Sequence, residues 1–293
     1  MNPKTAVLFG AGGQLGVELK RVFTERGYKV IGFERSQLDI TDAQRVDKCL
    51  TDLDPAVVLN SAAYNKVDLA ESEPLEAFRA NALAVANLAK ASRQIDAQLV
   101  HFSTDYVFDG MAGRAYVESD MPHPLGAYAV SKYGGELYAQ AYLDKPLILR
   151  VSGVFGPGGV RTAHGNFIET MLRLAASGNP IRVVEDFVAS PTFTLALAER
   201  TADLVEKKAS GVFHVGGGTP ISWYDFARLI FEAAGLKPEL IPTNERAYRT
   251  PARRPKYSAL RNARMDAEGY EPMPPLEKAI EHYLRISAPL RPS

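Results

Sequence analysis

Tyr128 and Lys132 stand four residues apart, and Ser103, Thr104 and Asp105 close an apolar run upstream of them. On a helix, positions i and i+4 share a face, so the phenol and the ammonium are neighbours. An ammonium beside a phenol stabilises the phenolate and draws its pKa down from about 10. Such a phenol can hand a proton to a ketone oxygen as hydride arrives at the carbon. The Thr104 hydroxyl can hydrogen-bond the same oxygen, and Lys132 can also hold a nicotinamide ribose. Tyr-x-x-x-Lys by itself is weak: with 13 tyrosines in 293 residues and as many lysines, chance supplies about 0.6 of a pair. Order and context lift it above chance.

The other half of this chemistry lies near the N-terminus. Gly10, Gly13 and Gly16 follow an apolar strand and open a helix, with Gly12, Gln14 and Leu15 between them. Glycines there allow the tight turn, the approach of backbone to a pyrophosphate, and close helix–strand packing. The helix N-terminus adds free N–H groups and positive dipole. Glu34 and Arg35 close the next strand. An acid there can accept the ribose 2′-OH of NADH and an Arg can hold the 2′-phosphate of NADPH, so both cofactors stay open. Asp39 and Ile40 lie where the chain could pass the adenine. Ala62, Ala63 and Tyr64, after the third strand, are expected beside the bound cofactor.

Buried strands at Thr5–Phe9, Lys29–Phe33, Ala56–Leu59, Leu99–Ser103 and Leu147–Val151 alternate with helices at Gln14–Arg26, after Thr41-Asp42, at Pro74–Arg93 and around Tyr128. Near-continuous apolar strands separated by helices predict a parallel sheet covered on both faces. The second half has a turn-rich segment, Gly153–Gly159, helices at Asn166–Ala176, Leu195–Lys207, Trp223–Ala234 and Leu276–Arg285, and strands at Ile181–Val184 and Val212–Val215. Ala247–Arg264 has poor periodicity and predicts a long loop. The tail Ala288–Ser293 is expected to fray. The division is residues 1–152 for the dinucleotide and 153–293 mainly for the substrate, with some later segments returning to the first unit.

The net charge is zero, so no basic field points to nucleic acid or a membrane surface. The single Cys49 excludes an intramolecular disulfide and a cysteine metal cluster. His101, His123, His164 and His214 are scattered without metal-ligand spacing, so no metal is expected. No run is long and apolar enough to span a bilayer, and the N-terminus has no signal-peptide layout; a cytoplasmic protein is expected.

Gly10-x-x-Gly13-x-x-Gly16, the segment from Ser103 to Gly110 and Tyr128-x-x-x-Lys132 resemble the extended short-chain dehydrogenase/reductase superfamily. More narrowly, Val67–Pro74, Asn166–Ala175, Ser222–Phe226 and Thr250–Pro255 resemble the dTDP-4-dehydrorhamnose reductase family. The last is specific, since short-chain dehydrogenases in general lack it. The likeness implies an α/β fold: a Rossmann-type doubly wound parallel sheet with a smaller C-terminal α/β substrate lobe. It implies Tyr128 as proton donor, Lys132 as its partner, and Thr104 as the tuning hydroxyl. Thr104, Asp105, Gly153 and Asn166 would face the substrate. The implied reaction reduces the C4 ketone of dTDP-4-dehydro-L-rhamnose with NADPH or NADH. A homodimer is a habit of the superfamily.

Arg246, Arg249, Arg253, Arg254 and Lys256 cluster around Pro251 and Pro255. Bidentate guanidinium groups suit a diphosphate, and the prolines reduce the ordering cost, so Arg253 and Arg254 are expected to close over the dTDP moiety. Two departures from the family pattern bear on the substrate. Gly153 stands where the family usually has a Trp, which removes a large packing surface, and Tyr64-Asn65 replaces a commoner aromatic-Thr pair. The alternatives are another nucleotide-sugar ketoreductase or epimerase, and a non-catalytic NADP-binding subunit resembling the regulatory beta subunit of methionine adenosyltransferase.

Overall fold

A computed structural model describes residues 3–161, 165–247 and 249–290. The expectations at His164, within the long loop at Tyr248, and for the tail at 291–293 lie outside the described residues. In chain order the strands are β1 (Thr5–Phe9), β2 (Lys29–Phe33), β3 (Val57–Asn60), β4 (Gln98–Thr104), β5 (Leu147–Val151), β6 (Ile181–Val184), β7 (Val188–Ala189), β8 (Gly211–His214), β9 (Ile221–Ser222) and β10 (Leu240–Thr243). Six of them form one parallel sheet in the order β2-β1-β3-β4-β5-β8.

Both faces of this sheet are covered, and the alternation of side chains shows it. Ala6 and Leu8 enter one apolar cluster while Val7 and Phe9 enter another. Leu147 and Leu149 likewise part from Ile148. With period 2 and both faces buried, successive strand positions are mostly apolar, and the buried polar exceptions such as Ser103, Thr104 and Arg150 gather towards the C-terminal strand ends. Helices Gln14–Glu25 and Thr194–Glu206 cover one face; helices Ala43–Leu53, Ala84–Gln94 and Ala127–Tyr142 cover the other. This is the Rossmann-type doubly wound α/β fold. The chain reverses direction between β1 and β3, where the C-terminal strand ends open a crevice for ligands.

The polypeptide beyond residue 152 builds two small sheets, β6 beside β10 in parallel and β7 against β9. It also returns to the large sheet, where β8 pairs with β5 from Leu147↔Gly211 to Arg150↔His214. Arg26 of the first helix bonds Asp203 and Glu206 of Thr194–Glu206, which ties the two halves of the chain on that face.

Several elements differ from expectation, among them β10, which was not expected. The helix expected at Pro74–Arg93 is interrupted by a π turn over Arg79–Leu83 before resuming at Ala84–Gln94; a single widened turn leaves the apolar pattern almost unchanged. The two-residue strands β7 and β9 are too short to carry a periodic pattern. The loop Ala247–Arg264 is fastened to the body by bridges Val188↔Tyr257 and Tyr116↔Leu260, and its end turns into helix Ala263–Ala267.

Candidate active site

The glycine turn sits at the end of β1. Gly10 has a left-handed backbone, φ +79°, and a Cβ there would stand 2.7 Å from the Ala62 amide nitrogen. At Gly16 a Cβ would lie 2.1 Å from the Gly10 carbonyl oxygen, so no larger residue fits. Gly13 is the N-cap of Gln14–Glu25 and brings no capping side chain, which leaves first-turn N–H groups for an outside anion. Glu34 reaches over this turn: its Oε1 lies 2.8 Å from the point a Gly12 Cβ would occupy. Arg35 points to solvent and pairs with Asp39 at 2.9 Å. The Asp39 carboxyl is opposed by burial but ends below its ordinary value through Thr41 and Arg35. Leu15 and Ile40 are buried beneath.

Asn166, expected at the substrate, lies behind this turn instead. Its Nδ2 donates to Gln14 Oε1 at 3.1 Å and to the Tyr283 hydroxyl at 3.1 Å, while its Oδ1 caps helix Phe167–Ala176 through the Glu169 amide. Its amide is thus occupied at both ends by its own chain.

Tyr128 opens helix Ala127–Tyr142 beside the end of β4, and its half-buried phenol lies next to the Thr104 hydroxyl. Thr104 itself donates to Asp105 Oδ1 at 3.1 Å and accepts from the Tyr106 amide at 3.2 Å. One helical turn on, the buried Lys132 Nζ donates to the Phe102 carbonyl at 2.6 Å. Burial pulls the Lys132 ammonium down to about 8, against the attraction of Glu136. The Tyr128 phenol is not drawn down as the Tyr-Lys spacing predicts. Burial raises it, with the Asp105 and Tyr106 charges adding and only the Thr104 bond opposing. Desolvation is the largest cause, and Lys132 is bonded to the Phe102 carbonyl rather than to the phenol.

Asp105 also departs from expectation. Its carboxylate is turned inward and accepts from Ser152 at 2.8 Å, Ser258 at 2.5 Å and Thr104. Burial raises it to about 6 despite these three bonds. It fastens β4, the segment after β5 and the basic loop to one another.

A cleft of about 770 Å³ opens next to this point. Its walls include Tyr106, Phe187, Trp223, Arg249, Arg253 and Ser258. It meets the Tyr128 end of the site at Tyr106, whose ring lies edge-on to Tyr128 with centroids 6.2 Å apart. Arg253 is exposed on this cleft. Arg254 borders it too, but its guanidinium grips Asp68 through two bonds of 2.9 Å, so the expected pair of diphosphate ligands is split.

The model of the RmlD substrate binding domain matches residues 4–288. The chain is 37% identical over 276 residues to the spore coat polysaccharide biosynthesis protein SpsK of Bacillus subtilis, covering 94% of this chain and 95% of that one. It is 35% identical over 282 residues to dTDP-4-dehydrorhamnose reductase of Escherichia coli, covering 90% of each. The crystal structure of dTDP-4-dehydrorhamnose reductase from Bacillus anthracis in complex with NADP superimposes with a TM-score of 0.92 at 33% identity, over 97% of this chain and 99% of that one. The chain belongs to the dTDP-4-dehydrorhamnose reductase family. Its members are NAD(P)-dependent oxidoreductases of the extended short-chain dehydrogenase/reductase kind.

Within that family the chain's Gly153 acquires a structural explanation. Its backbone is left-handed, φ +47°, and a Cβ would meet the Trp223 ring at 3.2 Å. The single tryptophan of the chain therefore reaches this place from helix Trp223–Ala233, against Phe167 at 4.7 Å between centroids.

Several positioning residues escape sequence reasoning. Asn81, in the π turn, clamps Tyr64 by accepting from its amide and donating to its carbonyl, both at 2.8 Å, and donates to Ser131 at 2.9 Å. Tyr64, expected at the cofactor, sends its hydroxyl to Glu73, which together with desolvation pushes the phenol up to about 12. Glu136 and Arg150 form a buried bidentate pair, closed by Ser103. Glu136 could have been suspected as the next i+4 position after Tyr128 and Lys132; its partner on β5 could not. Ala63 is exposed at the crevice. Among the described residues no three His, Cys, Asp or Glu side chains gather as a metal site would need, and no helix is long and apolar enough to cross a membrane.

Proposed function

We propose that the protein reduces the C4 ketone of dTDP-4-dehydro-L-rhamnose to dTDP-L-rhamnose with NADPH or NADH, and that Tyr128 delivers the proton. The observation that carries this is the Tyr128 phenol, set beside the Thr104 hydroxyl where the cleft meets the C-terminal edge of the sheet. Residues 1–152 hold the dinucleotide in this reading, and 153–293 mainly hold the sugar nucleotide.

The residues fit a nicotinamide dinucleotide. The uncapped helix after Gly13 offers donors to a pyrophosphate, and Glu34 and Arg35 suit a ribose hydroxyl or phosphate. When bound, that cofactor supplies the hydride. The chain supplies the proton and the orientation. Because burial holds the phenol above its ordinary value, Tyr128 carries its proton throughout the neutral range. Thr104 fixes the hydroxyl's direction, and the Asp105 carboxylate fixes Thr104. Lys132, one helical turn on, keeps two N–H donors beyond its bond to the Phe102 carbonyl with which to hold the nicotinamide ribose. Arg253 and Arg249 offer donors to the diphosphate.

Support for this substrate comes from the family and from relatives named for that reaction. The likeness to UDP-glucose 4-epimerase of Thermus thermophilus, at 22% identity and a TM-score of 0.82, concerns the fold alone. The test is oxidation of NADPH and of NADH, assayed separately, by the purified protein with dTDP-4-dehydro-L-rhamnose. Turnover is expected. Tight cofactor binding without turnover would overturn the proposal in favour of another sugar nucleotide or a binding subunit.

A further inference from the structure

Asp68 and Glu71 lie on one short turn, the 3-10 segment Leu69–Glu71 and the residue before it. Asp68 faces the basic loop. Its two carboxylate oxygens accept from the two terminal nitrogens of Arg254 at 2.9 Å each, and Oδ1 also accepts from the Ala252 amide at 3.2 Å. Arg254 adds bonds to the Thr250 hydroxyl and the Ala252 carbonyl, so the stretch from Thr250 to Arg254 is wound around this one ion pair. Arg253, between these anchors, is left exposed on the cleft.

Glu71 reaches the start of a neighbouring helix, where the Arg253 carbonyl also comes close to Gly126. Its Oε1 accepts from the Ala127 amide at 2.8 Å, at the first residue of the helix that carries Tyr128. The N-cap of that helix, Gly126, has no side chain to do this. A Cβ there would stand 2.7 Å from the Glu71 oxygen, so glycine is what admits the carboxylate. A carboxylate on a helix N-terminus fills an orphan donor and complements the dipole. Here it comes from 56 residues away in sequence. A second connection runs in parallel: the Arg254 guanidinium lies close enough to the Tyr106 phenol to influence its titration, and the Tyr106 ring lies edge-on to Tyr128.

We propose that Asp68 and Glu71 are positioning residues that couple engagement of a diphosphate by the Arg253 loop to placement of the Tyr128 phenol. The loop grips this turn at Asp68 and the helix start grips it at Glu71, three residues on, so a shift of the loop is passed to the phenol. This rests on the function proposed above, in which the cleft takes a nucleoside diphosphate sugar.

The test is a double-mutant cycle with Asp68→Asn and Glu71→Gln, each close in shape to the original. The readouts are kcat and KM for dTDP-4-dehydro-L-rhamnose, cofactor dissociation constants, and dTDP binding followed by fluorescence of Trp223, the chain's single tryptophan on the cleft wall. Asp68→Asn is expected to weaken dTDP binding and to lower kcat by about tenfold, with cofactor binding unchanged. Glu71→Gln is expected to lower kcat with dTDP binding nearly unchanged. The kcat losses combine to less than their product, because both cut one connection. Arg254→Lys, which keeps one charged bond to Asp68, should retain more kcat than Arg254→Met. Multiplicative losses, or losses seen only as lower thermal stability with kcat intact, would overturn the coupling. Absent turnover in the unsubstituted protein would instead overturn the functional proposal beneath it, and the two failures are thereby told apart.

Discussion

Tyr128→Phe removes one oxygen from the site, and the structure fixes what else changes. The partner left behind is not stranded: Thr104 keeps its bond to Asp105 at 3.1 Å and its acceptance from the Tyr106 amide at 3.2 Å. The ring keeps its edge contact with Tyr106. The cost to the fold is therefore one hydrogen bond, about 0.5–1.5 kcal/mol. The cost to catalysis is larger, because no other described side chain bonded to Thr104 carries a proton in the neutral range that a ketone oxygen could take. A lost general acid slows the step by about 10²–10⁴-fold, which is about 3–5 kcal/mol of barrier. The assay is single-turnover oxidation of bound NADPH with dTDP-4-dehydro-L-rhamnose, alongside a cofactor titration and a thermal melt. The expected result is a rate loss of at least two decades, unchanged cofactor affinity and a melting point within a few degrees. A rate within threefold of the unsubstituted protein would refute the assignment of the proton donor. A rate loss accompanied by lost cofactor binding would refute the claim that the substitution is local.

Three other expectations are independent of that one. Arg253→Ala should raise KM for the sugar nucleotide by about 10–100-fold, the worth of a hydrogen bond to a charged group, and leave KM for the cofactor unchanged; equal losses for both would assign the loop a purely structural role. Gly153→Ala places a Cβ 3.2 Å from the Trp223 ring on a backbone at φ +47°, so it should destabilise the fold by about 1–2 kcal/mol and shift Trp223 fluorescence, and an unperturbed melt and spectrum would refute that contact. Asp105 is raised from 3.8 to about 6 by burial. The folded chain thus holds a proton between those values that the unfolded chain has lost, and stability falls as pH rises through that window. Asp105→Asn should flatten this stretch of the stability profile, measured by chemical denaturation at several pH values; an unchanged slope would refute it.

Much of the site was legible because its logic is local. The glycine turn is a matter of what backbone can do within seven residues, and the strands declare themselves because burial on both faces makes their runs mostly apolar. Tyr128 and Lys132 are one helical turn apart, so their shared face follows from spacing alone. What the sequence does not carry is the partner. Ser152 and Ser258 donate to the Asp105 carboxylate from distant segments. Gln14 and Tyr283 stand around the Asn166 amide. Arg253 and Arg254 are adjacent and alike in type, and only Asp68 tells them apart.

The sequence by itself determined the family, the covered parallel sheet, the glycine turn after the first strand and the shared helical face of Tyr128 and Lys132, since each depends on residue type at short spacing. The tertiary structure decided where each charge is spent. It sent Lys132 to the Phe102 carbonyl, raised the Tyr128 phenol, brought Trp223 against Gly153, and joined Asp68 to Arg254 across 186 residues. The physical reason is that a polar side chain's effect is set by its desolvation and its partners. Both are created when distant segments meet, and no local pattern in the chain encodes which segments those are.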